Sequence, residues 1–271
     1  MQEFVTLGND FGRVEVSTIG AQVVSYVPFG CDEILFMPED RAFSSDRAMH
    51  GGIPVCWPWF GRFGAPGSRM HGLARYARWQ VAERTSSRVV LSLDSSAATL
   101  EVWPFDFKLR LSVELNDRLC LTLLAENTSD APFEVSEGFH PYFRASDPQN
   151  ISVFGLPEKE VRAFPGIDGG RPCQPGGTYC LKDAATGRCI EMTSNIERKI
   201  VIWNPGPNWS DCMPGGNLGK DDWKGFVCVE PAIYGPGNAV RLSSGESSEF
   251  KMSIRVISGT RCADEPRKLQ L

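Results

Sequence analysis

A chain of 271 residues can bury a full core, as one large β-domain or as two smaller domains. Its content of 42% hydrophobic and 23% charged residues is ordinary for a globular protein. The formal charge of −5 argues against a nucleic-acid partner, and no apolar run approaches the roughly 20 residues that span a bilayer, which argues against a membrane partner.

In chain order, strand signals fall at 12–19, 79–83, 88–93, 108–115, 119–125, 133–137, 199–203, 226–229 and 250–256. Four of them, 12–19, 79–83, 108–115 and 250–256, alternate polar and apolar residues, the period of a half-buried strand. Gly, Pro, Asn and Asp punctuate between them, as at Asn9-Asp10, Asn116-Asp117 and Ser244-Gly245. With 27 Gly and 19 Pro, long helices have little room, and only 38–42 and 217–224 carry a short helical pattern. Many short strands joined by turns predict an all-β sandwich or barrel. No linker or composition shift divides the chain, so residues 1–271 read as a single domain with a polar, loosely held tail at 258–271. The start, Met1-Gln2-Glu3-Phe4-Val5, lacks the basic and apolar regions of a signal peptide, and a cytoplasmic location is expected. The nine cysteines are odd in number, spread out and without Cys-x-x-Cys. That pattern predicts reduced, mostly buried thiols and no metal site.

Candidate chemistry starts from the three histidines, each in a dense segment: His50-Gly51-Gly52-Ile53-Pro54, Met70-His71-Gly72-Leu73, and Phe139-His140-Pro141-Tyr142-Phe143. Histidine changes charge nearest neutral pH, so sparse use in such contexts points to chemistry, although a lone His beside aromatics is as often a core residue. Two loop-like stretches carry aromatics and polar groups together: 49–75 holds Trp57, Trp59, Arg62, Arg69 and Arg75, with Arg78 just beyond, and 203–224 holds Trp203, Asn204, Trp209 and Trp223. Such surfaces suit a ligand with C–H faces and many hydroxyls, a sugar. Glu230 ends the apolar run Phe226-Val227-Cys228-Val229, where burial raises a carboxylate pKa and makes a better general base near neutral pH. His140, held extended by Pro141, offers a second proton-transfer group.

Four segments in this order, His71-Gly72-Leu73-Ala74-Arg75, Phe139-His140-Pro141-Tyr142-Phe143, Trp203-Asn204-Pro205-Gly206-Pro207 and Val227-Cys228-Val229-Glu230, resemble galactose mutarotase-like proteins. Gly51-Gly52-Ile53-Pro54-Val55-Cys56-Trp57-Pro58-Trp59-Phe60-Gly61 is similar, more specifically, to the hexose-6-phosphate mutarotases, and the likeness runs over about 12–256. The resemblance implies a single-domain antiparallel β-supersandwich and a monomer. It also implies interconversion of sugar anomers by acid–base catalysis with no cofactor. Residue by residue, it implies Glu230 as general base, His140 as general acid, and His71, Arg75, Trp203 and Asn204 in substrate binding. The acid and base are expected in one cleft, about a sugar ring apart.

Two departures fall in the binding shell. His50 stands where the phosphosugar enzymes usually carry an Arg, and an imidazole lacks the planar charged fork. Gly176 stands where the family commonly places a sugar-binding Asp, and Asp168, Asp183 or Asp211 could substitute from a nearby loop. Arg62 or Arg69 could add charge for a phosphate. Beside the phosphosugar mutarotase stand two alternatives: a mutarotase for a non-phosphorylated sugar, and a non-catalytic carbohydrate-binding or regulatory protein on the same scaffold.

Overall fold

The computed structural model describes residues 4–41, 47–62, 69–162, 166–167, 170–207, 217–235 and 237–257. Three antiparallel strands open the chain: β1 (Phe4–Asn9), β2 (Gly12–Ser17) and β3 (Val23–Pro28). After β4 (Val55–Cys56), a meander runs through β5 (Gln80–Arg84), β6 (Arg88–Asp94), β7 (Phe107–Leu115) and β8 (Leu119–Asn127). Short strands follow: β9 (Phe133–Val135), β10 (Glu137–Phe139), β11 (Tyr142–Arg144), β12 (Ile151–Phe154), β13 (Glu160–Arg162), β14 (Gly166–Ile167) and β15 (Arg171–Pro172). The chain then forms β16 (Thr178–Asp183), β17 (Cys189–Ser194), β18 (Lys199–Asn204), β19 (Phe226–Ile233), β20 (Val240–Leu242) and β21 (Ser247–Ile257).

Two large sheets dominate. One has nine strands in the order β13-β12-β16-β17-β21-β8-β7-β6-β5. The other has seven, β14-β18-β19-β10-β4, with β11 also pairing β19 and β15 also pairing β18. Every strand pairing is antiparallel among the described residues. The sheets meet face to face through alternate side chains. Leu109, Leu111, Val113, Leu121, Leu123 and Phe250 of the first join Phe139, Ile200, Ile202, Val227 and Val229 of the second in one buried cluster. Phe139 and Phe250 meet across it with ring centroids 5.5 Å apart. The opposite face of the seven-stranded sheet carries two smaller buried clusters, one around Phe226 and one around Phe60, and the candidate residues gather there.

All nine expected segments lie on strands, which confirms the antiparallel β class. Segment 79–83 corrects one detail: β5 is exposed at every position because it ends the nine-stranded sheet. The helical pattern at 217–224 yields only the 3-10 turn Asp222–Gly225, and 38–41 forms no helix. Among the described residues no helix is long and apolar enough to cross a membrane. The thiols need correction too. Cys180 and Cys189 form a disulfide, with Cα atoms 6.5 Å apart. Cys189 pairs with Lys182 in the β16–β17 register, so the two cysteines are diagonal neighbours, a proximity that chain spacing conceals. Of the free cysteines described, Cys56 and Cys228 are buried, whereas Cys31, Cys120 and Cys173 are half-buried. Cys212, Cys262 and the 258–271 tail lie outside the described residues.

Candidate active site

All eight residues of β19 are buried. On one side β19 pairs with β18; on the other it pairs first with β11 and then with β10. Tyr142 is registered with Cys228 and Gly138 with Ala232, so the same register sets His140 opposite Glu230 at the break between β10 and β11. Pro141 and Pro231 suit this break, because neither has an N–H to give to a ladder. The His140 N–H donates instead to the carbonyl of Pro54 at 3.1 Å. Val227 and Val229 point into the core, so Phe226, Cys228, Glu230 and Ala232 occupy the outer face.

His140 Nε2 and Glu230 Oε1 lie 3.4 Å apart, with side chains 7% and 2% exposed. Burial drives the two groups in opposite senses. It holds Glu230 well above the usual carboxylate range, with the Arg75 charge opposing the rise. It holds His140 well below the usual histidine range, helped by His71, Arg75 and His50. Burial thus favours the neutral form of each, a carboxyl beside an imidazole. His140 Nδ1 has no hydrogen-bond partner among the described residues. Tyr142 stacks on the imidazole at 4.8 Å between centroids, and Trp203 meets its edge at 5.8 Å.

His71 stands against His140, with ring centroids 5.2 Å apart. Its backbone is left-handed at φ 62°, an uncommon state for a residue with a side chain. Its N–H donates to Gly61 O at 2.8 Å and its Nδ1 accepts the Gly61 N–H at 3.1 Å. Accepting at Nδ1 fixes the tautomer, so Nε2 carries the proton as a donor. Burial and then Arg75 and His50 hold its pKa well below the usual value, so the ring is a neutral donor.

His50 is buried and tied to Asn217, 167 residues away in the chain. Asn217 Oδ1 accepts the His50 backbone N–H at 2.9 Å and lies 2.9 Å from His50 Nδ1. An acceptor there places the imidazole proton on Nδ1. Burial and the Arg75 charge lower the His50 pKa to about 4, so this group is neutral as well. Arg75 is 4% exposed and donates through Nη2 to Met49 O at 3.0 Å, while its Nε has no partner among the described residues. Its charge acts on His50, His71, His140 and Glu230 together.

The other sequence candidates divide. Trp203 is half-buried beside His140, as expected of a site residue. Asn204 is buried, and its amide is occupied: Nδ2 donates to Trp223 O and Phe226 O, both at 2.7 Å, and Oδ1 accepts the Gly206 N–H at 2.9 Å. Trp57 belongs to the core and not to a sugar face, with Trp103 and Phe107 rings at 4.9 and 4.6 Å. Trp59 is buried, donating to Arg69 O at 2.8 Å. Arg69 lies over the Tyr76 ring at 4.8 Å, while Arg62 and Arg78 are exposed. Near Gly176, Glu197 accepts the N–H of Gly177 and the hydroxyl of Tyr179, both at 2.9 Å. Asp183 does not stand in for the missing Asp, because its carboxylate accepts from Ser146, Ala185 and Thr186 in a turn. Asp168, Trp209 and Asp211 lie outside the described residues.

Sequence spacing missed Asn217, Phe60, Tyr142, Cys228 and Tyr234, none of which carries a local signal of its partners. His140, Cys228 and Glu230 bring three potential metal donors within 4.8 Å of one another. Such a donor set suits zinc, but the Arg75 charge opposes a dication there, and coordination would break the direct contact of His140 with Glu230. A polar cavity of about 180 Å³, lined by Arg13, Glu15, Glu33, Arg41 and Arg144 among others, lies elsewhere and includes none of the candidate residues.

Known proteins resemble the chain over most of its length. The family model for aldose 1-epimerase matches residues 3–166. A Salmonella typhimurium protein provisionally named glucose-6-phosphate 1-epimerase is 30% identical over 230 residues, covering 78% of this chain and 76% of its own. A protein of the same provisional name from Escherichia coli K12 is 29% identical over 256 residues, covering 88% and 84%. The crystal structure of a provisionally assigned mutarotase from Salmonella typhimurium superposes with a TM-score of 0.82 at 27% identity, over 94% of this chain and 90% of that one. A galactose mutarotase related enzyme from Lactobacillus acidophilus shares the fold, with a TM-score of 0.73 at 16% identity over 96% and 99%. The chain belongs to the aldose 1-epimerase family of sugar isomerases.

Proposed function

We propose that the protein interconverts the α and β anomers of a hexose 6-phosphate, without a cofactor, as a cytoplasmic monomer. The carrying observation is the buried contact of His140 with Glu230, 3.4 Å apart and flanked by the neutral donor His71. This is closer than the sugar-ring width expected from sequence. The chemistry explains the difference. The C1 hydroxyl oxygen and the ring oxygen are bonded to the same carbon, so an acid and a base serve them best side by side.

Moving one proton from the Glu230 carboxyl to His140 converts the neutral pair into carboxylate and imidazolium, with the same number of protons. Glu230 then takes the C1 hydroxyl proton as C1 becomes a carbonyl carbon and its bond to the ring oxygen breaks. His140 gives its proton to that oxygen. Rotation about C1–C2 and the reverse transfers close the ring in the other configuration. His71 Nε2–H and Arg75 hold sugar oxygens, Trp203 borders the ring, His50 shapes the pocket wall, and Asn204 holds the loop that carries Trp203. The names of the Salmonella and Escherichia coli relatives support the phosphorylated substrate.

NMR exchange or polarimetry of glucose 6-phosphate tests this. Exchange above the spontaneous rate is expected, and Glu230→Gln should lose about 10²–10⁴-fold in kcat. No enhancement on glucose 6-phosphate or on a panel of free aldoses would leave a carbohydrate-binding protein. The neutral His50 favours one second reading, a non-phosphorylated sugar, which the same panel separates by its relative rates.

A further inference from the structure

The outer face of the seven-stranded sheet is arranged in rows. The β18–β19 register pairs Trp203 with Cys228, Val201 with Glu230 and Lys199 with Ala232. Ile200 and Ile202 enter the core, so Lys199, Val201 and Trp203 share the face that carries Glu230. Lys199 is thus one row from the His140–Glu230 row, about 7 Å along the strand. Its own row is floored by small residues: Ala232 and Gly138, with Cys56 registered to Gly138 beyond them. Phe60 stands over this floor, 4.8 Å from His71 on one side and 5.0 Å from Tyr234 on the other, by ring centroids. The Lys199 ammonium lies 4.5 Å from the Tyr234 ring centroid, and among the described residues no carboxylate pairs with it. The site thus runs from an acid–base pair, along an aromatic edge, to a half-buried cation.

We infer that Lys199 binds the phosphate of the substrate and determines the preference for a phosphorylated over a free hexose; this rests on the mutarotase function proposed above. The spacing matches the molecule. In the pyranose ring C6 projects from C5, the carbon across the ring oxygen from C1, so the phosphate lies a short step from the reacting centre and calls for a cation about one residue row from the acid–base pair. The ring's C–H face would lie along Phe60 and Tyr234. An ammonium over a ring aims part of its N–H set at the π face and keeps the rest for phosphate oxygens.

The test measures kcat and KM for glucose 6-phosphate and for glucose in the wild type, Lys199→Met and Lys199→Arg. Lys199→Met should raise KM for glucose 6-phosphate roughly 10- to 100-fold with kcat nearly unchanged, the signature of lost uniform binding. The preference for the phosphosugar should fall by the same factor, and Lys199→Arg should restore most of it. An unchanged KM, or an equal loss on both sugars, overturns the inference. If the wild type anomerises neither sugar, the proposed function fails by itself, and calorimetric binding decides the role of Lys199. Tighter binding of glucose 6-phosphate than of glucose, abolished in Lys199→Met, upholds it; equal binding of both sugars overturns it.

Discussion

His140 and Glu230 are pulled apart in pKa by one cause, burial, acting on groups of opposite charge type. The working pair holds a fixed number of protons. Adding one to the imidazole removes the base, and taking one from the carboxyl removes the acid. The first titration is displaced below 6.5 and the second above 4.5, because burial favours the neutral form of each group. The pH profile of kcat/KM should carry an acid limb centred below 6.5. An acid limb at or above that value would exclude His140 as the group behind it. His140→Asn should cost about 10²–10⁴-fold in kcat and abolish that limb. Prolonged dialysis against a chelator should leave the rate unchanged. A loss restored by zinc would instead assign His140, Cys228 and Glu230 to a metal.

Elements place these residues. The interruption between β10 and β11 puts His140 opposite Glu230, and alternation along β18 and β19 decides which side chains share a face with Glu230. The turn at Gly61 and His71 fixes the donor tautomer of His71, and it depends on Gly72 at φ 79°. A methyl group on Gly72 would collide with the carbonyl oxygen of Trp57. Gly72→Ala should therefore destabilise by about 2–4 kcal/mol, through both strain and clash. It should also reduce kcat at temperatures where the variant remains folded, because His71 is displaced. A thermal melt and an anomerisation assay, run together, check both. The segment around His71 and the run ending at Glu230 were legible as chemistry because a polar residue interrupts a glycine-rich or apolar context. Lys199 was not, since its strand reads as one more apolar segment and its partners come from β19 and the residues after it.

Across the whole molecule, the two sheets are joined by a buried acid as well as by apolar contacts. Glu137 on β10 is 0% exposed and accepts from the Ser248 hydroxyl of β21 at 3.3 Å, while its Oε2 has no partner among the described residues. Burial raises its pKa from 4.5 to about 7. The folded state therefore holds this proton more tightly than the unfolded chain, so the contribution is fully present below pH 4.5 and is lost as pH rises through about 7. The loss is about 3 kcal/mol at alkaline pH. Glu137→Gln, neutral at every pH, should match the wild type in urea denaturation at pH 4 and exceed its stability at pH 8. Equal stabilities at pH 8 would show that Glu137 is solvated or already paired. By itself the sequence determined the antiparallel β class, because a period of two is written locally into each strand. It also determined the identity of the acid–base candidates, because His and Glu in apolar runs are chemically conspicuous. Tertiary structure alone decided their 3.4 Å contact, the His50–Asn217 pair, the removal of Trp57 to the core and the row that leads to Lys199. Those relations depend on strand register and sheet order between segments far apart in the chain, and no local pattern encodes which strands become neighbours.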